Sequence, residues 1–72
     1  MDIAGLKPLF GQKILAVADG KDFVGTLKQV SGSQDTVTLT PLDDATANNY
    51  IFAINGVTAL SVSAITFVQK LK

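Results

Sequence analysis

The chain has 72 residues, 47% of them hydrophobic, and its six lysines balance six aspartates, so the formal net charge is zero. This length accommodates one domain. The absence of cysteine and histidine excludes disulfides, thiolate metal sites and the commonest general base. A neutral chain without arginine is a poor candidate for a strong, general nucleic-acid binder. Because so small a core gives limited stability, the composition indicates that the chain is stabilised by association with copies of itself.

The first residues predict one short helix within residues 2–10. Apolar side chains recur there at helical spacing, Asp2 is a suitable N-cap, and Gly11 is expected to end the helix. No apolar run reaches the roughly 18 residues of a membrane span, and the N-terminus lacks the pattern of a signal peptide. We therefore expect a cytoplasmic protein that does not enter a membrane.

From residue 12 the pattern is typical of strands joined by short turns, with five strands expected within residues 12–68. The first four predicted strands are residues 12–18, 23–30, 36–42 and 50–54, and the fifth begins at residue 57. Asp19-Gly20 and Asn55-Gly56 are pairs favoured in tight two-residue turns. We interpret Asn55-Gly56 as a turn that needs positive φ. Residues 43–49 are predicted to be a mobile loop, with Asp43 and Asp44 as a solvated charge pair.

The fifth predicted strand changes its apolar phase. Leu60, Val62 and Ala64 share one face, whereas Ile65 and Phe67 fall on the other. Since side chains alternate between the two faces of a strand, the pattern slips by one residue near Ala64. Either a bulge lies there, or the strand leaves its own barrel and covers something else.

A glycine lies in the middle of the second predicted strand. Glycine weakens a strand interior and often marks a sharp bend. We interpret Gly25 as the bend of the barrel, with Phe23 and Leu27 as core residues on either side. The predicted fold is all-β: a small, five-stranded, strongly bent antiparallel barrel of SH3-like or Sm-like type, with a short N-terminal helix, in a single domain over residues 1–72.

This pattern resembles the Sm-like family, which includes the Sm, LSm and Hfq-type proteins, from the stretch LKPLFGQKI to about residue 62. The family's first motif, apolar-x-Gly-x-Leu-x-x-apolar, is matched by Phe23, Gly25, Leu27 and Val30. Its second motif, aliphatic-Arg-Gly, is matched by Ile54, Asn55 and Gly56, with asparagine in place of arginine. The family resemblance thus covers nearly the whole chain.

The resemblance implies an RNA pocket. In RNA-binding members, the loop after the second strand and the second motif together hold a base. The matching positions here are Gln34, Asp35, Asn55 and Gly56. Because the motif's arginine is replaced and only Gln34 or Asp35 can stand in for the polar residues of the loop, we expect any binding of single-stranded RNA to be weak.

A homo-oligomeric ring is the expected assembly. The apolar surplus on the fourth and fifth predicted strands has to be covered, and we expect the fourth strand of one copy to pair with the fifth strand of the next. The predicted interface consists of Ile51, Phe52, Ile65, Phe67 and Val68.

No motif predicts catalysis, because the serines have no histidine to activate them. We therefore expect a non-enzymatic protein without cofactor or metal, which forms a ring with itself and binds RNA weakly. An alternative is a structural or assembly module, for instance of phage or mobile-element origin, that contacts only protein. A third interpretation, an SH3-like monomer that binds peptides, ranks last because the chain has only five aromatic residues and no tryptophan.

Overall fold

The computed structural model describes residues 2–72, so Met1, the first residue of the predicted domain, lies outside the described residues. The strands of this part of the chain are β1 (Lys13–Ala18), β2 (Lys21–Gln29), β3 (Thr36–Thr40), β4 (Thr58–Ser61) and β5 (Ile65–Lys70). The helices are α1 (Ile3–Leu6) and α2 (Asp44–Ala47), and 3-10 turns cover Lys7–Leu9 and Val62–Ala64. All strand pairs are antiparallel, in one sheet of order β4-β3-β2-β1-β5. The prediction of five antiparallel strands with a short N-terminal helix is confirmed.

Helix α1 is shorter than predicted but begins with the expected cap. The Asp2 carboxylate accepts a hydrogen bond from the Gly5 backbone N–H at 3.0 Å. Pro8 lies in the 3-10 turn that follows, and Gly11, with a φ of +84°, ends the helical segment as predicted. Leu6 is fully buried and anchors the helix to the core.

A two-residue turn joins β1 to β2. Asp19 and Gly20 have φ values of +51° and +75°, and the flanking Ala18 and Lys21 face each other in the ladder. Positive φ at both central residues gives a turn whose twist matches that of the strands, and Asp-Gly adopts it readily. The predicted hairpin is confirmed.

The core lies against one face of the sheet. Its buried strand residues are Ile14, Ala16, Ala18, Leu27, Val37, Leu39, Leu60 and Ile65. Along β1 and β3 these residues alternate with less buried ones, which is the period of a strand with one covered face. Phe23 is partly buried and packs against this core, as does Ile54.

The predicted fourth strand is wrong. Residues 50–54 form a turn followed by a single parallel bridge between Ala53 and Val24. The Val24 N–H donates to the Phe52 carbonyl at 2.9 Å, and the Ile54 N–H donates to the Val24 carbonyl at 3.0 Å. The ladder with β3 covers only the second half of β2. The segment therefore lies beside the part of β2 that β3 leaves unpaired, and it contacts this part through a single bridge.

The predicted fifth strand is divided in two. The 3-10 turn of Val62–Ala64 separates β4 from β5, and it is held by the Val62 N–H, which donates to the Asp35 carbonyl at 2.8 Å, and by the Ala64 carbonyl, which accepts from the Asp19 N–H at 3.3 Å. This turn carries the chain from the β3 side of the sheet to the β1 side. It explains the phase slip, because the turn brings Ile65 back to the core face. A shift in the β1–β5 register accompanies it.

The predicted mobile loop contains a helix. α2 begins after Asp43, whose carboxylate accepts a hydrogen bond from the Thr46 backbone N–H at 2.9 Å. An aspartate before the first helical turn satisfies backbone donors that have no partner within the helix. Both helices have four residues, and none in residues 2–72 has the length and apolar character needed to cross a bilayer.

The predicted positive φ at Asn55-Gly56 is also wrong. In residues 2–72, positive φ is confined to Asp19, Gly11, Gly20 and Gly32. Because the strand expected before Asn55 is a bridge segment, no hairpin closes on this pair. The pair forms an open bend that leads into β4.

Candidate self-association site

The outer strands of the sheet, β4 and β5, each have an edge that no other strand of residues 2–72 pairs. β4 is paired only with β3, and β5 only with β1. Unpaired N–H and C=O groups along such an edge can bind another strand, and monomeric proteins commonly prevent this with charged edge residues. β4 has no charged residue, and the charge on β5 is Lys70, at its end. Both edges therefore lack the usual protection against pairing.

An exposed apolar side chain accompanies each open edge. Val57, directly before β4, is 69% exposed, and Phe67, in β5, is 48% exposed. Pairing with another strand would remove these apolar side chains from water, and their burial would stabilise the pair. The sequence interpretation missed Val57. Its signal was an apolar residue placed directly after the polar pair Asn55-Gly56.

A second exposed apolar group lies in the segment beside β2. Ile51 is 94% exposed and Phe52 is 50% exposed. The Phe52 carbonyl accepts the Val24 N–H, so this segment is tied to the central part of the sheet through its backbone. Ile51 and Phe52 thus lie outside the strands on which they were expected.

The prediction that Ile65 belongs to the interface is wrong. Ile65 is 2% exposed and belongs to the core of its own chain, so a neighbouring chain has no access to it. Val68 is partly buried and packs against the same core. Of the predicted interface set, Ile51, Phe52 and Phe67 are exposed. The assignment of Ile65 failed because the 3-10 turn changes which face the following residues occupy.

The outer face of the sheet, which points away from the core, differs between its two halves. On the β1–β5 half, Leu15 and Val17 are half-buried, and Val17 lies opposite Phe67 in the ladder. On the β3–β4 half, the outer face carries the three threonines of β3, with Ser61 opposite one of them. The apolar part of the outer surface therefore lies on the half that ends at the β5 edge.

The four predicted RNA-binding residues do not converge within one chain. Gln34 and Asp35 lie directly before β3, whereas Asn55 and Gly56 lie before β4. Because β3 and β4 are antiparallel, the starts of these strands are at opposite ends of their ladder. A strand of five residues is about 17 Å long, which separates the two pairs by a comparable distance.

The sequence interpretation placed Asn55-Gly56 in the wrong connection. It took this pair as the link between the last two strands, but the link between β4 and β5 is the 3-10 turn of Val62–Ala64. That turn is the segment that contacts the loop before β3, through the hydrogen bond from the Val62 N–H to the Asp35 carbonyl. Besides Val62, the turn consists of two small residues, Ser63 and Ala64, and it contains no basic residue.

Residues 2–72 form no surface pocket and bring no three potential metal ligands together. One carboxyl group has a perturbed pKa. Hydrogen bonds from Thr46, through its side chain and its backbone N–H, lower the pKa of Asp43 below the ordinary value of 3.8, and Lys13 adds a smaller attraction. The cause is the capping of α2, so this shift reflects local structure.

Comparisons of the chain with models of known protein families, with characterised proteins and with solved structures gave no significant match. The open edges of β4 and β5, with Val57 and Phe67 beside them, are therefore assigned from the geometry of this chain. We call the two edges and these two side chains the edge site.

Proposed function

We propose that the protein is a non-enzymatic assembly module of the SH3-like or Sm-like barrel type, in which β4 of one copy pairs with β5 of the next to form a homo-oligomeric ring. The observation that carries the proposal is the edge site: two open strand edges, each accompanied by an exposed apolar side chain, Val57 or Phe67. A contact between two different edges is head-to-tail, and such contacts close into a ring when the rotation between copies permits.

The strand order supports this fold type. β1 pairs with residues 21–26 of β2 and β3 pairs with residues 26–29, so β2 belongs to both parts of the sheet. Thr26 is the residue common to both ladders, and it directly follows Gly25. A short 3-10 turn then connects the two edge strands. Our interpretation of Gly25 as the bend of β2 is part of this proposal.

The energetics favour several contacts per copy. Complete burial of a Val or Phe side chain contributes about 1.5–3 kcal/mol, and a backbone hydrogen bond contributes about 1 kcal/mol net. Association costs about 4–15 kcal/mol in lost rigid-body freedom. One edge contact therefore gives a weak dimer. In a closed ring every copy has both of its edges paired, which makes the assembly more stable than the isolated contact.

A module that contacts only protein is the better supported of the two expected functions. Gln34 and Asp35 lie at the opposite end of the β3–β4 ladder from Asn55 and Gly56, and the chain has zero net charge and no arginine. A pocket for a base needs its polar groups close together. Weak binding of single-stranded RNA is the alternative proposal, and it is a measured outcome of the experiment below.

The mass of the assembly is the decisive measurement. Light scattering and native mass spectrometry of the purified protein should give a multiple of the 7.5 kDa subunit mass. Phe67→Asp and Val57→Asp should each shift the population to the single subunit, because a buried charge would be unpaired. Gln29→Asp is the matched control: it adds the same charge at an exposed position of the central strand β2, and the assembly should persist.

A single subunit at all accessible concentrations would contradict the proposal, and so would an unchanged mass in both edge variants. Titration with fluorescent oligo(U) and oligo(A) at several salt concentrations tests RNA binding. We expect no binding. Binding that weakens with salt and is lost in Asp35→Ala or Asn55→Ala would favour the RNA function over the protein-only module.

A further inference from the structure

The bend at Asn55-Gly56 has a local environment unlike that of the other asparagines. The chain contains three asparagines, Asn48, Asn49 and Asn55, and all three are exposed. Only Asn55 is followed by glycine. A Cβ atom placed on Gly56 would meet nothing within 4 Å, so the space around this peptide bond is open.

The backbone N–H groups that follow the three asparagines also differ. The Asn49 N–H donates to the Thr46 carbonyl at 3.1 Å, and the Tyr50 N–H donates to the Ala47 carbonyl at 3.0 Å. Within the described chain, the Gly56 N–H donates to no backbone or side-chain acceptor. The nitrogen that follows Asn55 is therefore free to react, whereas the nitrogens that follow Asn48 and Asn49 are held in hydrogen bonds.

We propose that Asn55-Gly56 is a site of spontaneous deamidation in the folded protein. The Gly56 backbone nitrogen, after losing its proton to water or hydroxide, attacks the Asn55 side-chain carbon Cγ. The new N–Cγ bond closes a five-membered succinimide ring, the Cγ–Nδ2 bond breaks, and ammonia leaves with the proton. Water then opens the ring at either carbonyl, which yields aspartate or isoaspartate at position 55. No electron transfer is involved, and water is the only co-reactant.

Both features of the site lower the barrier for a physical reason. Glycine has no side chain to obstruct the approach of its nitrogen to the Asn55 side chain, and its backbone reaches conformations closed to other residues. An N–H that is already bonded must first give up that bond, as would be required after Asn48 and Asn49. Asparagine is among the thermolabile residues of proteins, and Asn55 combines both favourable conditions.

The products alter the approach to β4. Either product adds a negative charge to a chain whose net charge is zero. Isoaspartate also inserts a methylene group into the backbone between Ile54, whose N–H is bonded to the Val24 carbonyl, and Val57, next to the β4 edge. The chemistry at Asn55 is independent of the proposed assembly. An effect on assembly would rest on that proposed function and is measured separately below.

The test is storage of the purified protein at 37 °C and mildly alkaline pH, followed by proteolysis and mass spectrometry of the peptides. Asn55 should convert faster than Asn48 or Asn49, and the rate should rise with pH because attack requires the deprotonated nitrogen. Gly56→Val should suppress the conversion. That variant should fold, because position 56 has open space and no positive φ.

A parallel sample unfolded in urea shows whether the fold permits the reaction. Comparable conversion of Asn55 in the folded and unfolded samples supports the proposal. An intact Asn55 in the folded protein, together with conversion in urea, would overturn it, as would equal rates at Asn48 and Asn49 or an unchanged rate in Gly56→Val. The mass of the aged assembly is recorded in the same samples. A loss of assembly only in samples that contain the modified residue would connect the two proposals, whereas failure of the assembly proposal would leave the peptide result intact.

Discussion

The backbone carbonyl oxygen of Thr40 lies 2.8 Å from the point that a Cβ atom on Gly25 would occupy. The Cδ1 atom of Ile54 lies 3.1 Å from the same point. β3 and the segment that ends at Ile54 thus approach β2 at one residue, and only glycine leaves room for both. This contact explains why β2 has a glycine in its middle.

Gly25→Ala should destabilise the protein. The added methyl group would have to displace the Thr40 carbonyl, which is part of a backbone ladder and cannot move alone, and overpacking of this kind costs about 1–3 kcal/mol. Urea unfolding followed by circular dichroism measures the change. Gly56→Ala is the matched control, since its Cβ would lie in open space, and its stability should be unchanged or raised by about 0.4–1 kcal/mol. Equal stability of the two variants would contradict the close-contact explanation.

The hairpin turn should be sensitive to residue type at two positions. Gly20 has a φ of +75°, so Gly20→Ala should lower the free energy of unfolding by about 1–2 kcal/mol, the cost of a left-handed conformation for a residue with Cβ. Asp19→Asn should be nearly neutral, because asparagine tolerates positive φ. Thermal unfolding at one protein concentration measures both. A fully stable Gly20→Ala variant would exclude this turn geometry.

Ile65 and Phe67 should respond differently to truncation. Ile65→Ala leaves a cavity in the core and should lower the free energy of unfolding by about 2–5 kcal/mol, even at high dilution. Phe67→Ala should have a small effect on the dilute single subunit, because Phe67 is 48% exposed. At high concentration Phe67→Ala should reduce the assembled fraction. Equal losses of dilute-chain stability in the two variants would show that Phe67 belongs to the core as well.

A lysine on the β4 edge should prevent pairing without unfolding the chain. Ala59 is an exposed residue of β4, and Ala59→Lys supplies the kind of charge that protects strand edges. The thermal midpoint of the native protein should rise with protein concentration, because association stabilises the folded state by mass action. Calorimetry of Ala59→Lys should show a midpoint that no longer depends on concentration. A midpoint independent of concentration in the native protein itself would argue against assembly.

The cap of α2 should make a small contribution to stability that depends on pH. The pKa of Asp43 in the folded protein lies below its ordinary value of 3.8, through hydrogen bonds with Thr46. The contribution is therefore fully present above pH 3.8, and it is lost as the pH falls through the lowered pKa. Asp43→Ala should lower the thermal midpoint at neutral pH, whereas Asp43→Asn should retain much of the capping. The difference between native protein and Asp43→Ala should shrink toward pH 2, and a constant difference would exclude the carboxylate as its source.

Most local features followed from the sequence. The cap at Asp2, the end of the helical segment at Gly11, the Asp19-Gly20 turn and the alternating core positions of β3 were all predicted and are all present. Each depends on a few neighbouring residues: a side-chain acceptor three positions before an N–H, a φ that glycine adopts at little cost, or a period of two. Such features depend on residues that are close together in the sequence.

The errors arose where the local structure depends on contacts with distant parts of the chain. Residues 50–54 have a strand-like composition, but they follow α2 as a turn, and only Ala53 makes a bridge to β2. The stretch after residue 57 is rich in β-branched and apolar residues, yet a 3-10 turn interrupts it, and the Val62 N–H in this turn donates to the Asp35 carbonyl.

Contacts between distant residues also determine which residues form the candidate site. Apolar excess, small size and the absence of covalent crosslinks were readable from composition alone, and they indicated association. Only the structure showed which edges are open, that Ile65 is buried and that Val57 lies beside β4. It also showed that the four expected RNA-binding residues are divided between the two ends of the β3–β4 ladder. The sequence pattern of a strand indicates which of its faces is apolar. Which strands lie next to it depends on hydrogen bonds between residues far apart in the chain, and these form only when the whole sheet forms.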